Sequence, residues 1–141
     1  CKLFQYSFKG VKIYTEGITG YISAKDTAEI MIDLTEKKKF GERFILVENN
    51  YSFKEILDKI HDAFNKPRPK IKAGKFLLNT VRFFRLFLPF KTKITRAIIH
   101  SALSKSYYSN KKTIQNTDIN FTSLNDCISF TCKAFLSLKK D

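Results

Sequence analysis

Between residues 20 and 60 the chain alternates in a fixed order: a short strand-like run, an aspartate, a helix, a second strand-like run, a serine and a second helix. The first run is Tyr21–Ser23, preceded by Gly20. Asp26 then reads as a helix N-cap, with Glu29 three residues on as a capping-box variant. Ala28, Met31, Ile32 and Thr35 share one helical face, which Ile30 and Leu34 widen. Lys37–Lys39 near the helix end suits the macrodipole. Phe44–Val47 is continuously apolar, as in a strand buried on both faces of a helix-covered parallel sheet. Ser52 and Glu55 form a capping box, and Phe53, Ile56, Leu57, Ile60, Ala63 and Phe64 follow at helical spacing. Pro67 and Pro69 stop that helix. His61, set among core positions, reads as a structural histidine. This alternation points to the α/β class.

The flanks are less regular. Val11–Thr15 alternates between Gly10 and Gly17 and reads as a strand. Lys70–Lys72 reads as a short strand, Lys75–Leu88 as a helix ended by Pro89, and Thr95–Ser104 as a helix capped by Thr95. A last helix begins after Thr122 or Ser123, with Leu124, Cys127, Ile128, Thr131, Phe135 and Leu138 on one stripe.

The 141 residues suit one domain or part of a larger one, and a 43% hydrophobic fraction supplies a core. A chain that begins with Cys1 reads most simply as a segment of a longer one. The net charge of +13 comes from one stretch. Between Ala63 and Thr117 lie Lys66, Arg68, Lys70, Lys72, Lys75, Arg82, Arg85, Lys91, Lys93, Arg96, Lys105, Lys111 and Lys112, with no Asp or Glu. Such a block attracts anions, but its plainer reading is a solvated basic face. No nucleic-acid module accompanies it, which argues against a nucleic-acid partner. A basic amphipathic surface that binds anionic membranes is the alternative reading, carried by Phe76–Phe90. Aromatics at such spacing are more often core or pocket lining. No run of 18 apolar residues is present, so no spanning helix is expected.

Cys127 and Cys132 fall on different faces of the last helix. Only His61 and His100 are available to join them, and no metal-ligand spacing exists. Reduced thiols and a cytoplasmic setting follow from that usage.

Three Tyr-x-x-x-Lys pairs occur: Tyr21/Lys25, Tyr107/Lys111 and Tyr108/Lys112. A tyrosine acid/base gains from a lysine one helical turn away. On extended chain that separation is about 13 Å, too far to help. The other two pairs lie in a Ser/Asn-rich connection. No Gly-x-Gly-x-x-Gly turn exists to hold a pyrophosphate at a helix N-terminus, and no Ser/His/Asp set or carboxylate pair stands out. No catalytic, cofactor-binding or metal residue is therefore assigned.

Gly20-Tyr-Ile-Ser-Ala-Lys-Asp-Thr-Ala28 nevertheless resembles the late Gly-Phe-Val-Asp-Val-Arg-Asp-Val-Ala segment of extended short-chain dehydrogenases/reductases, the NAD-dependent epimerase/dehydratase family. Gly41–Val47 looks like the strand that follows there, and Tyr51–Glu55 like the helix start after it. Tyr108–Lys112 and Phe121–Leu124 are similar to the closing Tyr-Asp-x-x-Lys and Phe-x-x-Leu stretch. Thr19 and Gly20 stand where nucleotide-sugar epimerases carry Arg-Asp, so the pattern is nearer the dihydroflavonol-reductase-like branch.

The resemblance covers only the family's C-terminal part. It implies a C-terminal fragment of an NAD(P)-binding Rossmann-type α/β enzyme: a few strands plus a mainly helical substrate lobe. Residues 1–65 would be late strand–helix units on the nucleotide domain, and 66–141 the substrate lobe. The dinucleotide fingerprint and the catalytic Tyr and Lys would lie upstream. The intact enzyme would use NAD or NADP on a carbonyl or alcohol substrate, while this stretch alone would neither hold the cofactor tightly nor react. Lys93, Arg96, Phe83 and Phe84 are the substrate-lobe candidates. The implied partners are the N-terminal Rossmann half, a small-molecule substrate and possible homodimers.

Overall fold

A computed structural model of the chain describes residues 2–74 and 96–138. The fold is α/β, with short strands among helices: α1 (Lys2–Phe8), β1 (Ile13–Tyr14), β2 (Ile18–Tyr21), α2 (Ala24–Glu36), β3 (Asn49–Ser52), α3 (Phe53–Ala63), β4 (Ile71–Lys72), α4 (Arg96–Leu103), α5 (Lys111–Asn116) and α6 (Leu124–Ser137). β1 pairs in parallel with β4, Ile13 opposite Ile71 and Tyr14 opposite Lys72. β2 pairs with β3. The flanking bonds, Phe53 N–H to Gly17 O (2.9 Å) and Glu48 N–H to Tyr21 O (2.8 Å), cross in antiparallel order. Among the described residues no helix is long and apolar enough to cross a membrane.

Two compact units divide the chain, residues 1–18 with 52–106, and 19–51 with 107–141. They cut across the linear division at residue 65, because long-range contacts, not chain order, draw them together. The expected Lys75–Leu88 helix and the Phe76–Phe90 surface lie outside the described residues.

In the first unit α3 forms as its sequence dictates. Ser52 Oγ accepts from Glu55 N–H (3.1 Å), and Glu55 Oε2 accepts from the N–H (2.8 Å) and hydroxyl (2.7 Å) of Ser52. Ile56, Leu57, Ile60 and Phe64 are buried along one stripe. Phe4 and Phe8 of α1 meet the Phe64 ring edge-on at 6.4 and 5.4 Å, a geometry that aromatic quadrupoles favour. His61 is fully buried, and its Nδ1–H donates to Pro67 O at 2.6 Å, closing the turn toward the prolines. Gly17 sits where a Cβ would lie 2.6 Å from Ala102 O, so its N–H can reach that same carbonyl at 3.1 Å. α4 matches the expected helix over Thr95–Ser104 closely.

The second unit departs from the sequence expectations in three places. α2 starts three residues early: Ser23, not Asp26, is the N-cap, and its Oγ accepts from Asp26 N–H at 2.9 Å. The buried face is also displaced. Asp26 and Ile30 are buried, whereas Met31 and Ile32 are 61% and 59% exposed. The polarity of Asp26 hid the true stripe, since a carboxylate counts against core membership until its partners are known. Third, Phe44–Val47 is not a strand buried on both faces. Only Val47 is buried, Ile45 is 46% exposed, and the strand assignment falls further on, at Asn49–Ser52. Among the described residues no backbone hydrogen bond pairs Phe44–Leu46 with a neighbour, and apolar composition alone cannot supply one.

Candidate functional site

The substrate-lobe candidates are the first to place. Phe83, Phe84 and Lys93 lie outside the described residues, as does the side chain of Arg96, whose backbone opens α4.

In two of the Tyr-x-x-x-Lys pairs, Tyr21/Lys25 and Tyr108/Lys112, the lysine turns to another partner. Tyr21 closes β2, and burial pushes its phenol pKa up, away from an acid/base working range. Its ring leans on that of Tyr51 at 6.4 Å, while Tyr51 Oη donates to Glu48 Oε1 at 3.2 Å. Lys25 turns to Glu29 on α2 at 3.7 Å. Tyr108 is held through its backbone: its N–H donates to Asn50 Oδ1 and its C=O accepts from Asn50 Nδ2, both at 2.8 Å. Lys112 goes elsewhere, to Glu42 at 2.9 Å and over the Phe44 ring at 4.6 Å.

What the second unit does build is a joint around Asp26. Its side chain is 1% exposed. Oδ2 accepts from Thr122 N–H (2.7 Å) and Oδ1 from the Thr122 hydroxyl (2.6 Å). Burial alone would raise the Asp26 pKa; the Thr122 and Ser23 hydrogen bonds and the nearby Lys25 charge outweigh it and hold the carboxyl below its ordinary range. Asp26 therefore stays an anion that accepts and does not shuttle protons. The next residue, Ser123, caps α6: its Oγ accepts from Asp126 N–H at 3.2 Å and donates to Asp126 Oδ2 at 2.7 Å. One aspartate thus ties the start of α2 to the start of α6. Thr122 as its partner was not foreseen; the signal available was the Ser-x-x-Asp spacing at both Ser23 and Ser123.

The strand before the joint is packed closely. A Cβ at Gly20 would lie 2.4 Å from Val47 Cγ2 and 3.2 Å from the Tyr108 ring. Only glycine allows that approach without displacement. The thiols are quiet: burial and the Asp26 charge push Cys127 up, and burial raises Cys132. Among the described residues no group of three or more His, Cys, Asp or Glu could hold a metal.

No family model matches this chain, and no curated protein matches it. A solved structure, the crystal structure of gox2253, is similar to it with a TM-score of 0.75 at 17% identity. The likeness covers 97% of this chain and 43% of that one, so this chain spans less than half the length of the protein it matches. At that identity the likeness is one of fold.

Proposed function

We propose that this chain is the C-terminal, substrate-binding portion of an NAD(P)-dependent extended short-chain dehydrogenase/reductase or epimerase, acting on a carbonyl or alcohol. One observation carries the reading. Four of the segments that resemble that family separately in sequence meet in space within one unit. Asp26 of the Gly20–Ala28 segment is bound by Thr122 of the Phe121–Leu124 segment. Gly20 lies against Val47 of the Gly41–Val47 segment and against Tyr108 of the closing stretch. Chance matches have no reason to be neighbours. A fold likeness confined to less than half of a longer chain supports the same reading.

In this reading Asp26 is a positioning residue, and a Rossmann-type nucleotide half lies upstream with the catalytic tyrosine and lysine. The strand–helix units would pack on that half, and Lys93, Arg96, Phe83 and Phe84 are the candidate residues of the substrate lobe. NAD or NADP would supply the hydride chemistry in the intact enzyme. Among the described residues α2, α3 and α6 start at Ser23, Ser52 and Ser123, without the glycine turn on which a pyrophosphate rests, which supports a cofactor held by the upstream half.

The test is direct. Sequence just upstream of Cys1 should encode a glycine-rich turn and a Tyr-x-x-x-Lys helix, and the extended protein should bind NADPH while the 141 residues alone do not. Micromolar NADPH binding by the 141 residues, or upstream sequence without those motifs, overturns the proposal.

A further inference from the structure

α6 buries Ile128 and Cys132 on one side. On the other, Asp126, Ser129, Phe130, Lys133, Ala134 and Ser137 are all exposed. Phe130 is 76% exposed, the most of any described phenylalanine. A lone apolar residue at the surface is ordinary; the charges beside this one are what give it a direction. Asp126, Phe130 and Lys133 follow one another at i, i+4 and i+7, so they share one helical face. The acid stands a turn before the ring and the lysine about a turn after it. Asp126 Oδ2 accepts from the Ser123 hydroxyl, and Oδ1 has no hydrogen bond among the described residues. Lys133 has no ion pair among them either. Ser129, Ala134 and Ser137 are small, so a second surface can come close to the Phe130 ring.

We propose that this face of α6 pairs antiparallel with α6 of a second copy of the chain, with the two Phe130 rings at a two-fold axis. At 1.5 Å per residue Asp126 lies about 6 Å before Phe130 and Lys133 about 4.5 Å after it. Antiparallel pairing about Phe130 therefore sets each Asp126 opposite Lys133 of the other copy, and the symmetry repeats the contact. Parallel pairing would oppose acid to acid and lysine to lysine, which is costly. The antiparallel order also opposes the two helix dipoles. Self-repulsion is small on this face. The +13 charge arises between residues 63 and 117, whereas from residue 118 onward Asp118, Asp126 and Asp141 cancel Lys133, Lys139 and Lys140. A stable interface buries about 800 Å² per partner. One face of a 14-residue helix offers less, so the dimer should be weak, with a Kd on the order of 0.1–1 mM. The pairing uses no enzymatic reading, so it can fail without the oxidoreductase proposal failing.

Sedimentation equilibrium of the 141-residue chain, from about 10 µM to about 1 mM, tests it. The chain should pass reversibly from monomer to dimer over that range. Phe130→Ser replaces an exposed residue, so the fold is kept, and it should raise the Kd roughly tenfold or more, the loss of a central aromatic contact. Lys133→Glu should also weaken the dimer, by roughly threefold to tenfold, because it sets two acids against each other twice. That substitution lowers the net positive charge of the chain, which by itself would favour association. Weakening therefore reports the local pair and not the overall charge. Three results overturn the proposal. The chain remains a monomer at about 1 mM; it associates, but Phe130→Ser leaves the Kd unchanged, so another surface is used; or Lys133→Glu leaves the dimer as tight or tightens it, so the antiparallel charge pairing is wrong.

Discussion

Three helices of this chain start with the same four-residue pattern, and they use it in two different ways. Ser52-Phe-Lys-Glu55 and Ser123-Leu-Asn-Asp126 keep the motif local, each acid bonding back to its own capping serine. Ser23-Ala-Lys-Asp26 keeps the local contact and adds a remote one. Ser23 caps the Asp26 N–H, but the Asp26 carboxylate takes two bonds from Thr122, 96 residues away. The first use stabilises a helix end. The second fixes where two helix ends lie relative to each other, and it requires a buried anion with its partners in place. A local cap is worth about 1 kcal/mol. A buried carboxylate with two donors is worth more, because its loss strands donors as well as removing bonds.

That difference sets the first prediction. Asp26→Ala should cost about 3 kcal/mol, since it leaves the Thr122 N–H and hydroxyl without their acceptors. Urea unfolding of the 141-residue chain measures it. A loss no greater than that of a single cap substitution would show that the Asp26 joint is no different from the other two starts. Gly20→Ala comes next, at about 2 kcal/mol, because the added methyl must displace Val47. Thermal unfolding checks it, and a neutral outcome would mean that the strand before α2 has slack that the 2.4 Å approach denies.

Asp26→Asn, at about 1.5 kcal/mol, isolates the charge while keeping the shape. Here pH decides. The folded-state pKa of Asp26 lies below its unfolded value of 3.8. Its contribution is therefore complete above that unfolded value and is lost as pH falls through the folded one. The stability gap between wild type and Asp26→Asn should be constant near neutrality and close as the solution is acidified below pH 3.8. A gap that persists in acid would mean that the substitution acts through packing.

The same contrast explains what could be read from the sequence. α3 was legible in full, because its cap, its stripe and its stop are all encoded within about fifteen residues. The α6 start was legible to within one residue, at Thr122 or Ser123, and the structure sets the cap at Ser123. The α2 cap was misplaced because Ser23 and Asp26 are both good caps, and only the remote Thr122 shows which role the aspartate takes. Phe44–Val47 has a strand's composition, but pairing is a property of two segments, and the carbonyls of Arg43, Ile45 and Val47 are taken by side chains of residues 110–113. Of the candidate site, the family-like segments were legible one by one. Their gathering around Gly20 and Asp26 was not, since nothing in spacing along the chain encodes proximity across 96 residues.

The smallest expected effect separates the two uses of the motif most sharply. In α3 a single oxygen, Glu55 Oε2, accepts from both the N–H and the hydroxyl of Ser52. A glutamine carbonyl has two lone pairs and can accept both bonds. Glu55→Gln should therefore cost only a few tenths of a kcal/mol, the loss of a charge at a solvent-facing helix N-terminus. Asp26→Asn makes the same chemical change, carboxylate to amide, at the same position of a helix. There the two Thr122 donors meet two different oxygens. The amide keeps one acceptor and places an N–H₂ at the other, so the Thr122 hydroxyl must turn round and accept, in a buried site without the charge. Parallel urea titrations of the two variants should show the larger loss at residue 26. Equal losses would mean that the Asp26–Thr122 pair contributes no more than a surface cap, and the joint between α2 and α6 would have to be sought elsewhere in their packing.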